Sequence, residues 1–143
     1  MAMLFFNLFM VDRALVSLFD HIYSKYELTT KQWLVLAVAT NIERPTINNV
    51  ALQLKTSHQN VKAIVLNLKK VGLANLVQDP TDKRTTLIVG SPKLEQLNKT
   101  RGTKDQDSMA LLFGAYSAQE LTEFSDYIDR LLEQVEQIKG KIR

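Results

Sequence analysis

Polar and basic side chains gather at two places in the middle of this sequence, residues 57–62 and residues 78–84. Amide groups can hydrogen-bond to the edges of nucleic-acid bases, while lysine and arginine attract phosphate. The candidate contact residues in these two segments are Ser57, His58, Gln59, Asn60, Lys62, Lys83 and Arg84, together with Asp82 in the second segment. These residue types suit recognition of a polyanion.

The same sequence offers few of the residue patterns that catalytic sites require. It has no cysteine and only two histidines, His21 and His58, which stand far apart along the chain. No glycine-rich phosphate loop and no convincing pair of carboxylates for acid and base work can be found. His58 has no neighbouring metal-ligand residues. We therefore expect no enzyme activity, no cofactor and no metal.

The charge is distributed unevenly along the chain. Residues 44–104 contain 11 basic and 3 acidic residues, a net charge of +8, whereas residues 105–138 contain 1 basic and 8 acidic residues, a net charge of −7. Charge blocks are often no more than solvated helix faces. Here the positive block coincides with the candidate recognition residues, which favours a role in binding a polyanion.

The elements that must position these residues are two short helices and a hairpin. Thr46 caps the first helix, Thr56 or Ser57 caps a second from His58 to Val71, and Gly72 ends it. Strands at residues 73–77 and 85–89 flank a turn in which Pro80 presets φ and aspartates hydrogen-bond the local backbone. This order predicts a winged helix-turn-helix, an architecture that usually binds nucleic acid.

Further helices enclose this unit in the sequence, giving six helices and one hairpin in all. The first is predicted from about Phe5 to Tyr26, and Thr29 with Gln32 forms a capping box for the second. Ser91-Pro92 begins a long fifth helix, and Ser117 with Glu120 caps the last. The predicted fold class is mainly α with a small β-hairpin (α+β).

The first and last helices carry more apolar surface than a compact central unit of three helices and a hairpin could cover. Phe5, Phe6, Phe9 and Met10 at one end, and Ile128, Leu132, Val135 and Ile138 at the other, suit a helical interface in a twofold dimer. The alternative is that the two ends pack against each other, or on the fifth helix, within one chain. We expect the dimer, because long exposed apolar patches normally mark association.

The apolar N-terminus, residues 1–11, could be mistaken for a signal peptide or a membrane span. No lysine or arginine precedes it, Asp12 and Arg13 follow it, and it is shorter than the roughly 20 residues of a span. We interpret it as the start of a helix. The expected organisation is a single domain, 1–143, with a DNA-binding lobe at about 28–98 and dimerisation helices at about 1–26 and 100–143.

Several segments together resemble the MarR family of winged helix-turn-helix transcriptional regulators, from about Leu15 to Ile138. Residues 28–36 are similar to the family's opening of the second helix, and residues 50–54 followed by Ser57 are similar to its helix-turn-helix. Residues 68–73 and 79–84 complete the likeness through recognition helix and wing. No single motif is decisive, but their order and spacing are specific.

The resemblance implies a homodimer, usually a repressor, that binds a pseudo-palindromic operator in double-stranded DNA. We expect a cytoplasmic location. Gln59 and Asn60 would read base edges in the major groove, Ser57 would meet phosphate, and Lys62 would add electrostatic attraction. Arg84 would enter the minor groove, oriented by an ion pair with Asp82. An ordinary surface ion pair is the alternative interpretation of these two residues.

A small aromatic or anionic effector is a second implication of the resemblance. Its cleft would lie between the dimerisation helices and the DNA-binding lobe, lined by Phe19, Tyr23, Trp33, Met109, Phe113 and Tyr116. Aromatic residues at helical spacing more often belong to a core, so both interpretations stay open.

Departures from the family pattern weaken the expected DNA affinity. Leu76 and Val77 stand where many members have basic residues, and Ala63 stands at a commonly basic position of the recognition helix. A winged helix that docks a protein partner and never reads DNA is the rival hypothesis. A steep salt dependence of duplex binding would separate the two.

Overall fold

The computed structural model describes residues 1–142, and their side chains except those of residues 103–106. It contains six helices and a two-stranded antiparallel sheet, and 71% of it is helical. In chain order the elements are α1 Ala2–Ser24, α2 Thr30–Asn41, α3 Ile47–Gln53, α4 His58–Lys70, β1 Ala74–Gln78, β2 Thr86–Gly90, α5 Pro92–Phe113 and α6 Ala118–Ile142. The predicted fold class is confirmed. The chain divides into two compact units, Met1–Lys99 and Thr100–Arg143.

Side-chain caps begin the helices where the sequence predicts them. Thr29 and Gln32 form the complete capping box of α2, and Thr46 caps α3. Ser57, rather than Thr56, caps α4 by accepting a hydrogen bond from the Asn60 N–H. These caps are local, because each joins residues three apart in the chain.

Gly72 ends α4 as predicted. Its φ is +78°, its N–H donates to the Lys69 carbonyl, and the Leu73 N–H donates to the Leu68 carbonyl. This is the Schellman motif, which requires a residue in the left-handed region. The motif uses Leu73 to terminate the helix, so β1 begins at Ala74 and the hairpin lies one residue later than predicted.

The hairpin is held against the helix-turn-helix by its inner face. Ala74 and Ile88 are buried, whereas Val77 and Val89 on the outer face are exposed. The Ile88 N–H also donates to the carbonyl of Pro45, the residue before the cap of α3, over 2.8 Å. This contact attaches the wing directly to the segment that enters the helix-turn-helix.

The core of the first unit is formed by apolar side chains from α2, α3, α4 and the hairpin. Val35, Val50, Val61, Val65 and Leu68 are almost completely inaccessible to solvent. Burying such side chains is the main favourable term that holds the three helices together. The same stripe on α4 determines which of its side chains face outward.

α1 begins earlier and ends earlier than predicted, at Ala2 and Ser24. Its end is a second Schellman motif, in which Glu27 has a φ of 57° and the Leu28 N–H donates to the Tyr23 carbonyl. The Asp20 carboxylate accepts two hydrogen bonds of 2.7 Å from Thr30, one from its N–H and one from its hydroxyl. These contacts attach the C-terminal part of α1 to the start of α2.

By length and composition, α1 is able to cross a membrane. The apolar stretch covers only residues 1–11, whereas the helix that contains most of it has 23 residues. The length of α1 therefore does not distinguish a membrane-spanning helix from a helix that packs against another protein chain. A single apolar helix near the start of a chain is weak evidence for a span, since other helices pass the same test.

In the second unit, α6 is strongly amphipathic, and none of its described residues is buried. Ser117 and Glu120 form the predicted reciprocal cap at its start, with hydrogen bonds of 2.8 and 3.3 Å. The apolar residues Leu131, Leu132, Val135 and Ile138 remain exposed. α6 thus presents an apolar stripe that the described residues leave uncovered.

Candidate DNA-binding interface

An open groove of about 540 Å³ lies between the start of α3, the start of α4 and the wing. Arg44, His58, Lys62 and Arg84 line it, together with polar side chains from residues 46–49 and 85–86. No carboxylate is among these lining residues. The groove therefore combines positive charge with hydrogen-bonding groups, which suits a strand of phosphates.

α4 directs its polar side chains away from the core. Val61, Val65 and Leu68 are buried on one side, while the predicted contacts Ser57, His58, Gln59, Asn60 and Lys62 are all exposed. The first turn of any helix also leaves N–H groups available to an anion. The first turn and outer face of α4 are thus accessible to a nucleic-acid ligand.

Asn60 has a local hydrogen-bond partner that was not predicted from the sequence. Its side-chain nitrogen donates to the Thr56 hydroxyl over 2.9 Å. An asparagine amide has two donor hydrogens and an acceptor oxygen, so this bond leaves hydrogen-bonding capacity for a base edge. The contact orients the Asn60 amide beside the start of α4.

The wing tip is organised by Asp79, which is 5% exposed. One carboxylate oxygen accepts hydrogen bonds from the Thr81 N–H and hydroxyl, and the other accepts from the Arg44 guanidinium over 2.8 Å. The Thr81 hydroxyl and N–H, followed by Arg44, lower the pKa of Asp79 to about 2. Asp79 therefore stays ionised and joins the wing to the segment before α3.

Asp82 supports the backbone of the turn, not the side chain of Arg84. Its carboxylate accepts hydrogen bonds from the Thr85 hydroxyl, 2.8 Å, and from the Arg84 N–H, 3.0 Å, and these bonds lower its pKa. Within the described part of the chain Asp82 and the Arg84 guanidinium form no ion pair, so that prediction is wrong. The carboxylate reaches nearby backbone and hydroxyl donors, which leaves the guanidinium to line the groove.

Lys83 and Arg84 are exposed at the wing tip, and Arg84 contributes to the groove. The structure thus brings His58, Lys62 and Arg84 to one surface from two separate elements. The sequence indicates Arg44 only as part of the positive block, and its pairing with Asp79 was not predicted. Its partner stands 35 residues away, and only the fold brings the two together.

The predicted effector-binding residues fall into both units. Phe19, Tyr23 and Trp33 stack in the first unit, with ring centroids 5.2 to 6.2 Å apart. Phe19 and Tyr23 are buried there, as expected of core residues. Met109, Phe113 and Tyr116 belong to the second unit, and the last two are exposed. The effector cleft stays a prediction.

Many solved structures share this architecture over nearly the whole chain. A MarR/EmrR family transcriptional regulator from Acinetobacter sp. ADP1 superposes with a TM-score of 0.83 at 16% identity, covering 92% of this chain and 93% of that one. The chain has the MarR fold. No protein-family model and no curated protein matches the sequence.

Two further MarR-fold structures contain bound partners. MepR of S. aureus, solved as a DNA complex, has a TM-score of 0.79 at 17% identity, covering 90% of this chain and 94% of that one. CouR of Rhodococcus jostii RHA1, solved with p-coumaroyl-CoA, has a TM-score of 0.80 at 17% identity, covering 90% of each chain. These proteins with the MarR fold are transcriptional regulators, at low identity to this chain.

Proposed function

We propose that the protein is a cytoplasmic transcriptional regulator of the MarR family, not an enzyme, that acts as a homodimer and represses by binding a pseudo-palindromic operator. The observation that carries the proposal is the cationic groove, in which His58 and Lys62 of α4 face Arg84 of the wing. MepR, which has the same fold, was solved with DNA bound.

In this proposal α4 enters the major groove and the wing follows the DNA backbone beside it. Gln59 and Asn60 carry amides that suit base edges, while Ser57, His58 and Lys62 lie where phosphates would pass. Arg84 reaches the minor groove, beside Lys83. Asp82 contributes indirectly, because it holds the backbone that carries Arg84.

The test is duplex binding by Arg84→Ala and Asn60→Ala. A duplex is first selected from a random pool with the wild-type protein, and affinities are then measured by fluorescence anisotropy. We expect each substitution to weaken specific binding by about tenfold, as for loss of one good contact. Selected half-sites should lie about 10 base pairs apart, centre to centre, as twofold symmetry requires.

Arg130→Ala is the matched control, because Arg130 is an exposed arginine of α6 that does not line the groove. It should bind like wild type, and all variants should stay dimeric by light scattering. If both Arg84→Ala and Asn60→Ala also bind like wild type, the groove assignments are wrong. Duplex binding that does not weaken steeply with salt would favour the rival, a protein-docking winged helix.

We also propose that a small aromatic or anionic effector regulates the protein, because CouR has the same fold and was solved with p-coumaroyl-CoA. A thermal-shift screen with aromatic acids and acyl-CoA thioesters tests this. Ligands that bind the native state raise the melting temperature, whereas no shift across the screen would count against a sensor role.

A further inference from the structure

The outermost ridge of α4 carries two apolar side chains. At 100° per residue, Gln59, Ala63, Leu66 and Lys70 lie within about 60° of one another, directly opposite the buried stripe of Val61, Val65 and Leu68. Leu66 is 49% exposed, and Ala63 is exposed beside it. The middle of the ridge therefore presents methyl groups where polar contacts would be expected.

An exposed leucine at the centre of a DNA-reading ridge has a specific chemical counterpart. In the major groove the base edges present hydrogen-bond donors and acceptors, and thymine adds its C5-methyl group. A leucine or alanine side chain can make an apolar contact with that methyl but cannot satisfy a donor or acceptor. Placing either residue against the polar edge of a G·C pair would leave base groups desolvated and unpaired.

The spacing of the two residues matches neighbouring base pairs. Ala63 and Leu66 are three residues apart, which is about 4.5 Å along the helix, and stacked base pairs are about 3.4 Å apart. Gln59, one turn earlier on the ridge, carries the amide that suits adenine. The ridge is thus arranged to meet a short A/T stretch.

Resting on the proposed function, we propose that Ala63 and Leu66 of α4 read thymine methyl groups at two neighbouring positions of each operator half-site. Specificity at these positions then comes from apolar contact, with Gln59 providing polar readout beside them. This also accounts for Ala63 at a position where a basic residue would have added phosphate attraction. Thymine contact takes the place of that charge.

The experiment replaces thymine by deoxyuridine, which removes the methyl group and keeps every base-pair hydrogen bond. In the duplex selected from the random pool, each half-site thymine is replaced in turn and binding is measured by anisotropy. We expect an affinity loss of about fourfold at each of two neighbouring positions, the value for one buried methyl group. Uracil elsewhere should have little effect.

Leu66→Ala identifies the side chain responsible. Alanine is a good helix former at this exposed position, so the fold should persist, as circular dichroism would verify. The variant should bind the thymine duplex more weakly and lose the uracil effect at one position. The effect at the neighbouring position, assigned to Ala63, should remain.

Leu52→Ala provides the matched control, since Leu52 on α3 is 75% exposed and lies off the ridge. It should behave like wild type with both duplexes. The proposal is overturned if wild type binds uracil and thymine duplexes equally, or if Leu66→Ala keeps both uracil effects. Failure to select any duplex would overturn the proposed function together with this inference, whereas uracil-insensitive binding would overturn this inference alone.

Discussion

Asp79 and Asp82 belong to one turn, yet their carboxylates have different partners. Asp82 reaches donors two and three residues ahead, whereas Asp79 also reaches Arg44, 35 residues earlier. Asp79 therefore connects the wing to the helix-turn-helix, while Asp82 shapes the tip that carries Arg84. In the proposed function, Asp79 and Asp82 would support DNA binding without touching DNA.

Asp79→Asn should destabilise the first unit in a pH-dependent manner. The folded-state pKa of Asp79, about 2, is below the ordinary 3.8, so its contribution to stability is present above about pH 3.8. As the pH falls toward 2, the carboxylate becomes protonated in the folded state as well, and this contribution is lost. Thermal unfolding between pH 6 and 2 should show the wild-type and variant melting temperatures converging at the acid end.

Asp126→Asn, which changes an exposed carboxylate in the second unit, is the control for this series. It should follow the wild-type melting curve throughout. A difference in melting temperature between wild type and Asp79→Asn that stays constant from pH 6 to 2 would show that the ionised form of Asp79 contributes nothing to stability.

At the scale of elements, two residues with left-handed backbone conformations flank α4. Lys55, with a φ of 50°, makes the turn between α3 and α4, and Gly72, with a φ of 78°, ends α4. A side chain at such a φ is strained by roughly 1–2 kcal/mol. Glycine removes this strain at the end of α4, where the chain turns directly into the wing.

Gly72→Ala should lower the free energy of unfolding by about 1–2 kcal/mol. An added Cβ would meet nothing closer than the Lys93 side chain at 3.9 Å, so the cost is conformational rather than a steric clash. Urea denaturation followed by circular dichroism measures it. Lys55→Gly is the reciprocal control, since it relieves strain and should not lower stability; equal losses in both variants would contradict the argument.

At the scale of the whole molecule, exposed apolar surface lies on the outer helices. Phe5 and Phe9 of α1 are more than half exposed, and Leu132 and Val135 of α6 are also exposed. A soluble monomer rarely leaves patches of this kind uncovered. Our proposal of a homodimer rests on these two faces.

The double variant Phe9→Glu, Leu132→Glu should be monomeric, because dimerisation would bury unpaired carboxylates. Light scattering should give twice 16.3 kDa for wild type and 16.3 kDa for the variant. The variant should also lose operator binding, since one protomer reaches one half-site. Leu52→Glu, the control, should remain dimeric. Two results for the wild-type protein would contradict the proposed dimer: a monomeric mass, or binding to lipid vesicles in a flotation assay.

Structural features formed by residues close together in the chain were predictable from the sequence alone. The capping boxes at Thr29 and Ser117, the cap at Thr46 and the Gly72 terminus join residues at most five apart, so local chemistry determines them. The hairpin was predicted one residue too early, because the Leu73 N–H bonds to the Leu68 carbonyl at the end of α4 and β1 therefore starts at Ala74. The Asp82 ion pair was wrong because backbone and hydroxyl donors lie closer to that carboxylate than the long arginine side chain.

The sequence by itself determined the order of helices and wing, the caps, and the concentration of positive charge at residues 44–104. Only the tertiary structure decided that Arg44 pairs with Asp79 and that Arg84 is left to line a groove with His58 and Lys62. Hydrogen-bonded caps and turns depend on neighbouring residues, whereas an ion pair or a groove between distant segments exists only once burial of the apolar stripes has packed the elements together.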